Sequence, residues 1–164
     1  MAEPIVIRRA TRGDAAALAI LSASVQDLHF AARPDVFEPV DLEALEAWFR
    51  QTMAEPLWQI LVAEVSGAPA GYAAVMDCSR PKNAFGKARR WREIEQLSVS
   101  EKYRRQGVAR ALLDRVAAVA LSDGVSMLEL NSWSFNDVAR GCFERLGFSA
   151  RSVRYERPIV PGSS

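Results

Sequence analysis

Residues 93–110 read Glu93-Ile94-Glu95-Gln96-Leu97-Ser98-Val99-Ser100-Glu101-Lys102-Tyr103-Arg104-Arg105-Gln106-Gly107-Val108-Ala109-Arg110. Glu93 to Val99 alternate in character and suit a strand. A short basic loop with one glycine follows. Val108, Ala109, Leu112, Leu113, Val116, Ala117 and Ala120 then recur at helical spacing. A strand that runs through a glycine loop into a helix leaves backbone N–H groups without intrahelical partners. The helix dipole and two arginines favour an anion there, so the loop reads as a phosphate site. Glycine at a helix start also serves as a simple turn, and the loop alone does not separate these readings. Two other phosphate patterns are missing: Gly-x-x-x-x-Gly-Lys-Ser/Thr and Gly-x-Gly-x-x-Gly with a downstream acid.

Upstream of this stretch, Ile5-Val6-Ile7-Arg8 reads as a strand. Thr11 or Asp14 can cap a helix whose Leu18, Leu21, Val25 and Leu28 form one buried face, with His29 at its end. Phe30 to Pro39 contains two prolines and reads as an irregular loop. Asp41 caps a second helix with Leu42, Leu45, Phe49 and Met53 on its apolar face. Residues 58–65 and 70–76 read as a hairpin across Ser66-Gly67-Ala68-Pro69. Ser79 to Arg90 is polar and basic, and reads as a flexible connection. Downstream, Ser122-Asp123-Gly124 stops the helix, and residues 125–130 form a strand. Asn136 or Ser134 caps a short helix through Arg145, ended by Gly147. Phe148 begins extended segments that include Ser152-Val153-Arg154-Tyr155. The whole is a mixed α/β sheet covered by helices, in one domain spanning residues 1–164.

Composition narrows the function classes. Hydrophobic residues make up 49% and charged residues 25%, as in an ordinary globular chain. With 21 basic and 20 acidic residues the net charge is +1, so bulk charge gives no reason to expect nucleic acid or membrane binding. Cys78 and Cys142 lie too far apart for a metal motif or a disulfide framework, and read as reduced thiols. The first residues lack the basic and apolar regions of a signal peptide. No apolar run is read as membrane-spanning, and a cytoplasmic location is the default expectation. No metal is expected.

Two motifs resemble the GCN5-related N-acetyltransferases (GNAT). The first is Leu97-Ser98-Val99 followed by Arg104-Arg105-Gln106-Gly107-Val108-Ala109. The second is Asn136-Asp137-Val138-Ala139, Phe143-Glu144 and Gly147-Phe148. The order of elements is also similar over nearly the whole chain. The resemblance implies the acyl-CoA N-acyltransferase fold, a mixed and mostly antiparallel sheet that splays between its fourth and fifth strands. It implies acetyl-coenzyme A as co-substrate, with the pyrophosphate on the backbone of Arg105 to Arg110. The pantetheine arm would pair with Leu97, Ser98 and Val99. Asn136 and Phe143 would also contact the cofactor. Family members are often homodimers.

The implied reaction moves acetyl from the thioester directly to a primary amine. Neutralising a lysine-like amine at pH 7 costs about 4.6 kcal/mol, so a carboxylate base is needed. Glu93 matches the position of the catalytic glutamate in histone-modifying members, and Glu95 a position often acidic in others. By strand alternation both are expected on the face of Leu97 and Val99. The Val99 N–H is the implied donor to the developing oxyanion, a role worth about 3–4 kcal/mol. One departure stands out. Phe143 occupies the place of the tyrosine that protonates the leaving thiolate in many members. Tyr103, Tyr155, Ser98 or water are alternative donors. A catalytically idle acyl-CoA-binding domain is the competing reading. Arg33 and Asp35 are expected on the acceptor wall.

Overall fold

The computed structural model describes residues 3–162, in two compact units that divide between Asn131 and Ser132. The first unit holds a five-stranded sheet in chain order: β1 (Ile5–Arg9), β2 (Trp58–Val65), β3 (Ala68–Arg80), β4 (Arg89–Val99) and β5 (Leu128–Leu130). The first four strands pair antiparallel, and β4 pairs parallel with β5. Its helices are α1 (Ala15–Ala32), α2 (Leu42–Thr52) and α3 (Val108–Ser122). The second unit holds α4 (Asp137–Arg145).

Neighbouring residues of β3 point to opposite faces, and they identify what covers each. Tyr72 meets Phe49 of α2 edge-on at 5.3 Å, within the cluster of Leu18, Leu21, Ile60 and Val62. A Cβ on Gly71 would instead lie 3.2 Å from Val108 at the start of α3. Thus α1 and α2 cover one face and α3 the other. The Ser66 and Gly67 backbones are both left-handed, at φ 52° and 76°, which is the twist a two-residue hairpin turn needs.

Asp41 caps α2 as expected, accepting the Ala44 N–H at 3.1 Å. Other expectations are corrected. Asp14 stands at the start of α1 but caps no helix N–H. Its carboxylate takes the Arg8 guanidinium at 2.8 and 2.9 Å and the Thr11 N–H at 2.7 Å. Phe30 to Ala32 are helical, because α1 continues to Ala32. The buried face of α1 ends early: Leu18 and Leu21 are buried, whereas Leu28 is exposed. Ser79, Arg80, Arg89 and Arg90 belong to strands, since β3 and β4 form a longer ribbon with Ser79 opposite Arg90. The turn between them is ordered by Asn83 Oδ1, which accepts the Phe85 and Gly86 N–H groups at 2.8 Å. Of residues 125–130 only the last three are strand, and no strand forms among residues 148–162.

By length and composition alone, the helical stretch Arg12–Ala32 could cross a membrane, with mean hydropathy 1.3. This revises the reading that no such run exists. Ala15, Leu18, Ala19 and Leu21 of that stretch are buried.

Candidate active site

The site is built on an irregularity in β4. Pairing with β3 runs regularly from Arg89 to Ile94, and again from Gln96 to Val99. Ala74 and Val75, however, face Gln96 and Ile94, so Glu95 is an extra residue. Such a bulge reverses the alternation of the strand beyond it. Side-chain contacts confirm the reversal. Arg92 reaches Asp123 at the end of α3 at 2.6 Å. Ser98, of the same parity, donates instead to the Leu21 carbonyl of α1 at 2.8 Å. Gln96 likewise accepts the Tyr72 hydroxyl at 2.7 Å on the α1/α2 face.

The expectation that Glu93 and Glu95 share a face with Leu97 and Val99 is therefore wrong. Cross-strand partners share a face. Glu93 pairs with Met76, which puts it on the Tyr72 face, whereas Leu97 and Val99 pair with Ala73 and Gly71 on the α3 face. Glu95, the extra residue, has no cross-strand partner to fix its face, and the residue is exposed while its carboxyl is partly buried.

The same reversal reorients the backbone. The Arg92 N–H donates to Met127 at 2.9 Å, on the β5 side of β4. The Ser100 N–H donates to Ala70 at 2.8 Å, on the β3 side. N–H groups alternate along a strand, so those of Leu97 and Val99 point away from β3. On that side the pairing with β5 stops at Ile94 and Leu130. The fourth and fifth strands thus part where Leu97 and Val99 offer their N–H groups. Arg104 Nε reaches the Val99 carbonyl on this side at 3.3 Å. Gly71, which belongs to no motif in the sequence, fixes the approach. A Cβ there would lie 2.7 Å from the Ser98 carbonyl and 3.3 Å from Val99 Cα.

Beyond Val99, a single turn of 3-10 helix at residues 101–103 leads into the loop. Arg105 and Gly107 are both left-handed, at φ 59° and 86°. The first bond of α3 runs from the Ala111 N–H to the Gly107 carbonyl at 2.9 Å. The N–H groups of Val108 and Ala109 precede that bond, at the positive end of the helix. Arg104, Arg105, Gln106, Gly107 and Arg110 are exposed around this turn, and Val108 is buried beneath it. Gln106 ties the loop by donating to the Lys102 carbonyl at 2.9 Å. These residues fit an extended phosphate-bearing thioester: strand-like N–H donors at one end, and a glycine turn with cations at the other.

Around Glu93 the structure supplies donors. Trp91 Nε1 donates to it at 2.9 Å and Asn131 Nδ2 at 3.4 Å. Burial, and then the charge of Glu93, push the Glu95 carboxyl above the usual glutamate range. Burial and these two carboxylates also raise the Cys78 thiol. Ser98 is buried, with its hydroxyl proton committed to Leu21. Tyr103 lies under the Lys102 ammonium at 4.6 Å, and Tyr155 is exposed. His29 stacks on Phe37 at 4.8 Å, and burial lowers its pKa. Arg33 and Asp35 form an ion pair with contacts of 2.7 and 2.8 Å.

In the second unit, Asn136 caps α4, accepting the Ala139 N–H at 3.1 Å. Phe143 meets Phe148 edge-on at 6.1 Å. The concavity at the β3–β4 ribbon, about 690 Å³ and lined by Arg80, Arg89, Arg90 and Met127, lies at the other end of β4 from Val99. Among the described residues, no group of three or more His, Cys, Asp or Glu could hold a metal.

A strand that parts from its neighbour beside a glycine turn is the architecture of the acyl-CoA N-acyltransferase fold. The sequence model of the Acetyltransferase (GNAT) family matches residues 22–148, and the chain belongs to that family. None of the curated proteins matches it. Solved structures share the fold. A mutant of the BH1408 protein from Bacillus halodurans aligns with TM-score 0.89 at 23% identity, over 94% of this chain and 99% of that one. The aminoglycoside N-acetyltransferase AAC(6')-Iy, in complex with CoA, aligns with TM-score 0.75 at 16% identity, over 97% and 98%. A transcriptional regulator from Bacillus halodurans aligns with TM-score 0.75 at 19% identity, over 95% and 100%.

Proposed function

We propose that this chain is an N-acetyltransferase that moves acetyl from acetyl-coenzyme A to a primary amine. The observation that carries the reading is the bulge at Glu95. It turns the Leu97 and Val99 N–H groups toward the gap beyond Ile94 and Leu130, in line with the glycine turn. Acetyl-coenzyme A, when bound, supplies an acetyl group on a thioester. Leu97, Ser98 and Val99 hold its arm through the strand backbone, and the turn from Arg104 to Arg110 holds its phosphates. The Val99 N–H stabilises negative charge as it develops on the acyl oxygen. The paired carboxylates Glu93 and Glu95 bind the incoming ammonium and relieve it of its proton.

Family membership across residues 22–148 supports the acyltransferase class, and that span supports one functional domain. The CoA complex of AAC(6')-Iy supports the donor, and its name suggests polycationic amines as a first panel of acceptors. Phe143 favours a second reading, a domain that binds acyl-CoA without turnover. Calorimetric titration with acetyl-coenzyme A, with thiol release measured across a panel of primary amines, separates the two. Binding with amine-dependent thiol release is the expected result. Binding without release from any amine favours the idle domain, and absence of binding overturns both readings.

A further inference from the structure

Glu93 and Glu95 are close enough to feel each other's charge, yet they are held differently. Each oxygen of Glu93 has its own donor: Oε2 takes Trp91 Nε1 at 2.9 Å, and Oε1 takes Asn131 Nδ2 at 3.4 Å. The indole is itself fixed, with the Arg89 guanidinium 4.3 Å over its ring. Arg89 in turn pairs with Glu129 on β5. Two strands therefore clamp one carboxylate. At Glu95 the opposite holds. It is the unpaired residue of the bulge, and no donor or cation among the described residues engages its carboxylate. Two equivalent carboxylates would compete for one proton. A clamped one and an unengaged one divide the work.

We propose that Trp91 and Asn131 are positioning residues that anchor Glu93 as the fixed anion of the site, and that Glu95 is the catalytic proton acceptor. The assignment rests on the acetyl-transfer reading. The acceptor ammonium, held against Glu93, gives one proton to the Glu95 carboxylate. The freed nitrogen lone pair forms the C–N bond while the C–S bond breaks, and sulfur leaves with that electron pair. The second nitrogen proton goes to the sulfur, giving amide and thiol, and Glu95 returns its proton to solvent. The surrounding groups leave this division intact. From β3, Cys78 keeps its proton, since burial, Glu93 and Glu95 all raise it. Asp77 is engaged by Arg90 and Arg92, and Glu129 on β5 by Arg89. The upward push on Glu95, from burial and then Glu93, accords with its role.

The test compares Trp91→Phe, Asn131→Ala, Glu93→Gln and Glu95→Gln in pH profiles of kcat/KM, using whichever amine the panel identifies. Glu95→Gln should lose about 10²–10⁴-fold in kcat and its acid limb. Glu93→Gln should keep the limb but move it to lower pH. Trp91→Phe should keep acetyl-coenzyme A affinity and move the limb the same way, less far, with Asn131→Ala smaller again. If Trp91→Phe fails to fold, Asn131→Ala carries the comparison. A limb that vanishes in Glu93→Gln but persists in Glu95→Gln overturns the proposal, as does a limb that neither positioning variant moves. Carbon-detected NMR titration of the glutamate carboxyls needs no acceptor. If acetyl-coenzyme A binds without turnover, the transfer reading fails on its own. The titration still decides the pair: Glu95 above the usual range, and falling in Trp91→Phe, supports the clamp. Indistinguishable titrations sink it.

Discussion

The two halves of β4 are made of similar residues but have opposite fates. Before Glu95 the strand is paired on both sides, with β3 and β5, and its side chains are locked: Arg92 to Asp123, Trp91 to Glu93. After Glu95 it is paired only with β3, and its outer N–H groups face the gap. One inserted residue separates a half that β5 covers from a half that faces the gap. Were Glu95 paired in regular register opposite Ala74, the N–H groups of Leu97 and Val99 would be spent on β3, and Ser98 would face α3 rather than α1. The site is a matter of parity before it is a matter of side-chain chemistry.

Deleting Glu95 should give the largest effect, on turnover. Ala74 and Val75 already face Gln96 and Ile94, so the deletion keeps every cross-strand pair and removes only the unpaired residue with its carboxylate. Gln96 and Ser98 therefore keep Tyr72 and Leu21. Thermal melts and calorimetry should show a folded chain that still binds acetyl-coenzyme A, with a loss of about 10²–10⁴-fold in amine-dependent thiol release. Loss of acetyl-coenzyme A binding in the deletion would break the parity argument. Gly71→Ala comes next, because its Cβ would lie 2.7 Å from the Ser98 carbonyl, a backbone atom that cannot swing aside. Overpacking of this kind costs about 1–3 kcal/mol, and here it should also weaken acetyl-coenzyme A binding by displacing Val99. Gly107→Ala isolates the other end of the site. Space is open there, the nearest atom being Ile5 Cδ1 at 3.9 Å, so only the φ of 86° resists. That strain is worth about 1–2 kcal/mol, with the loss read in melts and in acetyl-coenzyme A affinity.

How far the sequence anticipates this site depends on which physical signal carries each part. The loop from Arg104 to Ala109 is legible because a helix start and a glycine leave marks in the residues themselves. The bulge is not, since Glu95 and Gln96 carry no turn chemistry and a strand reading assumes unbroken alternation. One trace exists: Ile94 is followed by apolar Leu97 rather than by an apolar residue at 96, a spacing that regular pleating does not explain. Gly71 was hidden for a similar reason. A glycine within a strand can signal close backbone approach, but only the position of Ser98 and Val108 shows what approaches. The basic stretch from Ser79 to Arg90 misleads in the other direction. Its polarity suggests a loop, yet a two-stranded ribbon with exposed edges accommodates charged side chains. Trp91 and Asn131 have no motif at all: Trp91 meets Glu93 two residues along the same strand, and Asn131 meets it only through the pairing of β4 with β5.

The smallest expected effect concerns the stability cost of the bulge residue itself. Burial and the Glu93 charge raise the Glu95 pKa in the folded chain above its unfolded value. A group so shifted contributes stability below the usual glutamate range and loses it as pH rises through the folded pKa. At neutral pH the ionised Glu95 is therefore a mild liability, and Glu95→Gln should melt slightly higher than wild type. Because the residue is exposed, solvent screening keeps the gain well under about 1 kcal/mol. The gain should shrink toward zero below pH 4, where both chains carry a neutral side chain. A melt series from pH 4 to 8 checks this. A Glu95→Gln variant that is less stable at neutral pH would mean that the carboxylate holds the bulge together. A variant that gains stability while losing turnover would place Glu95 among residues kept for chemistry at a cost to the fold.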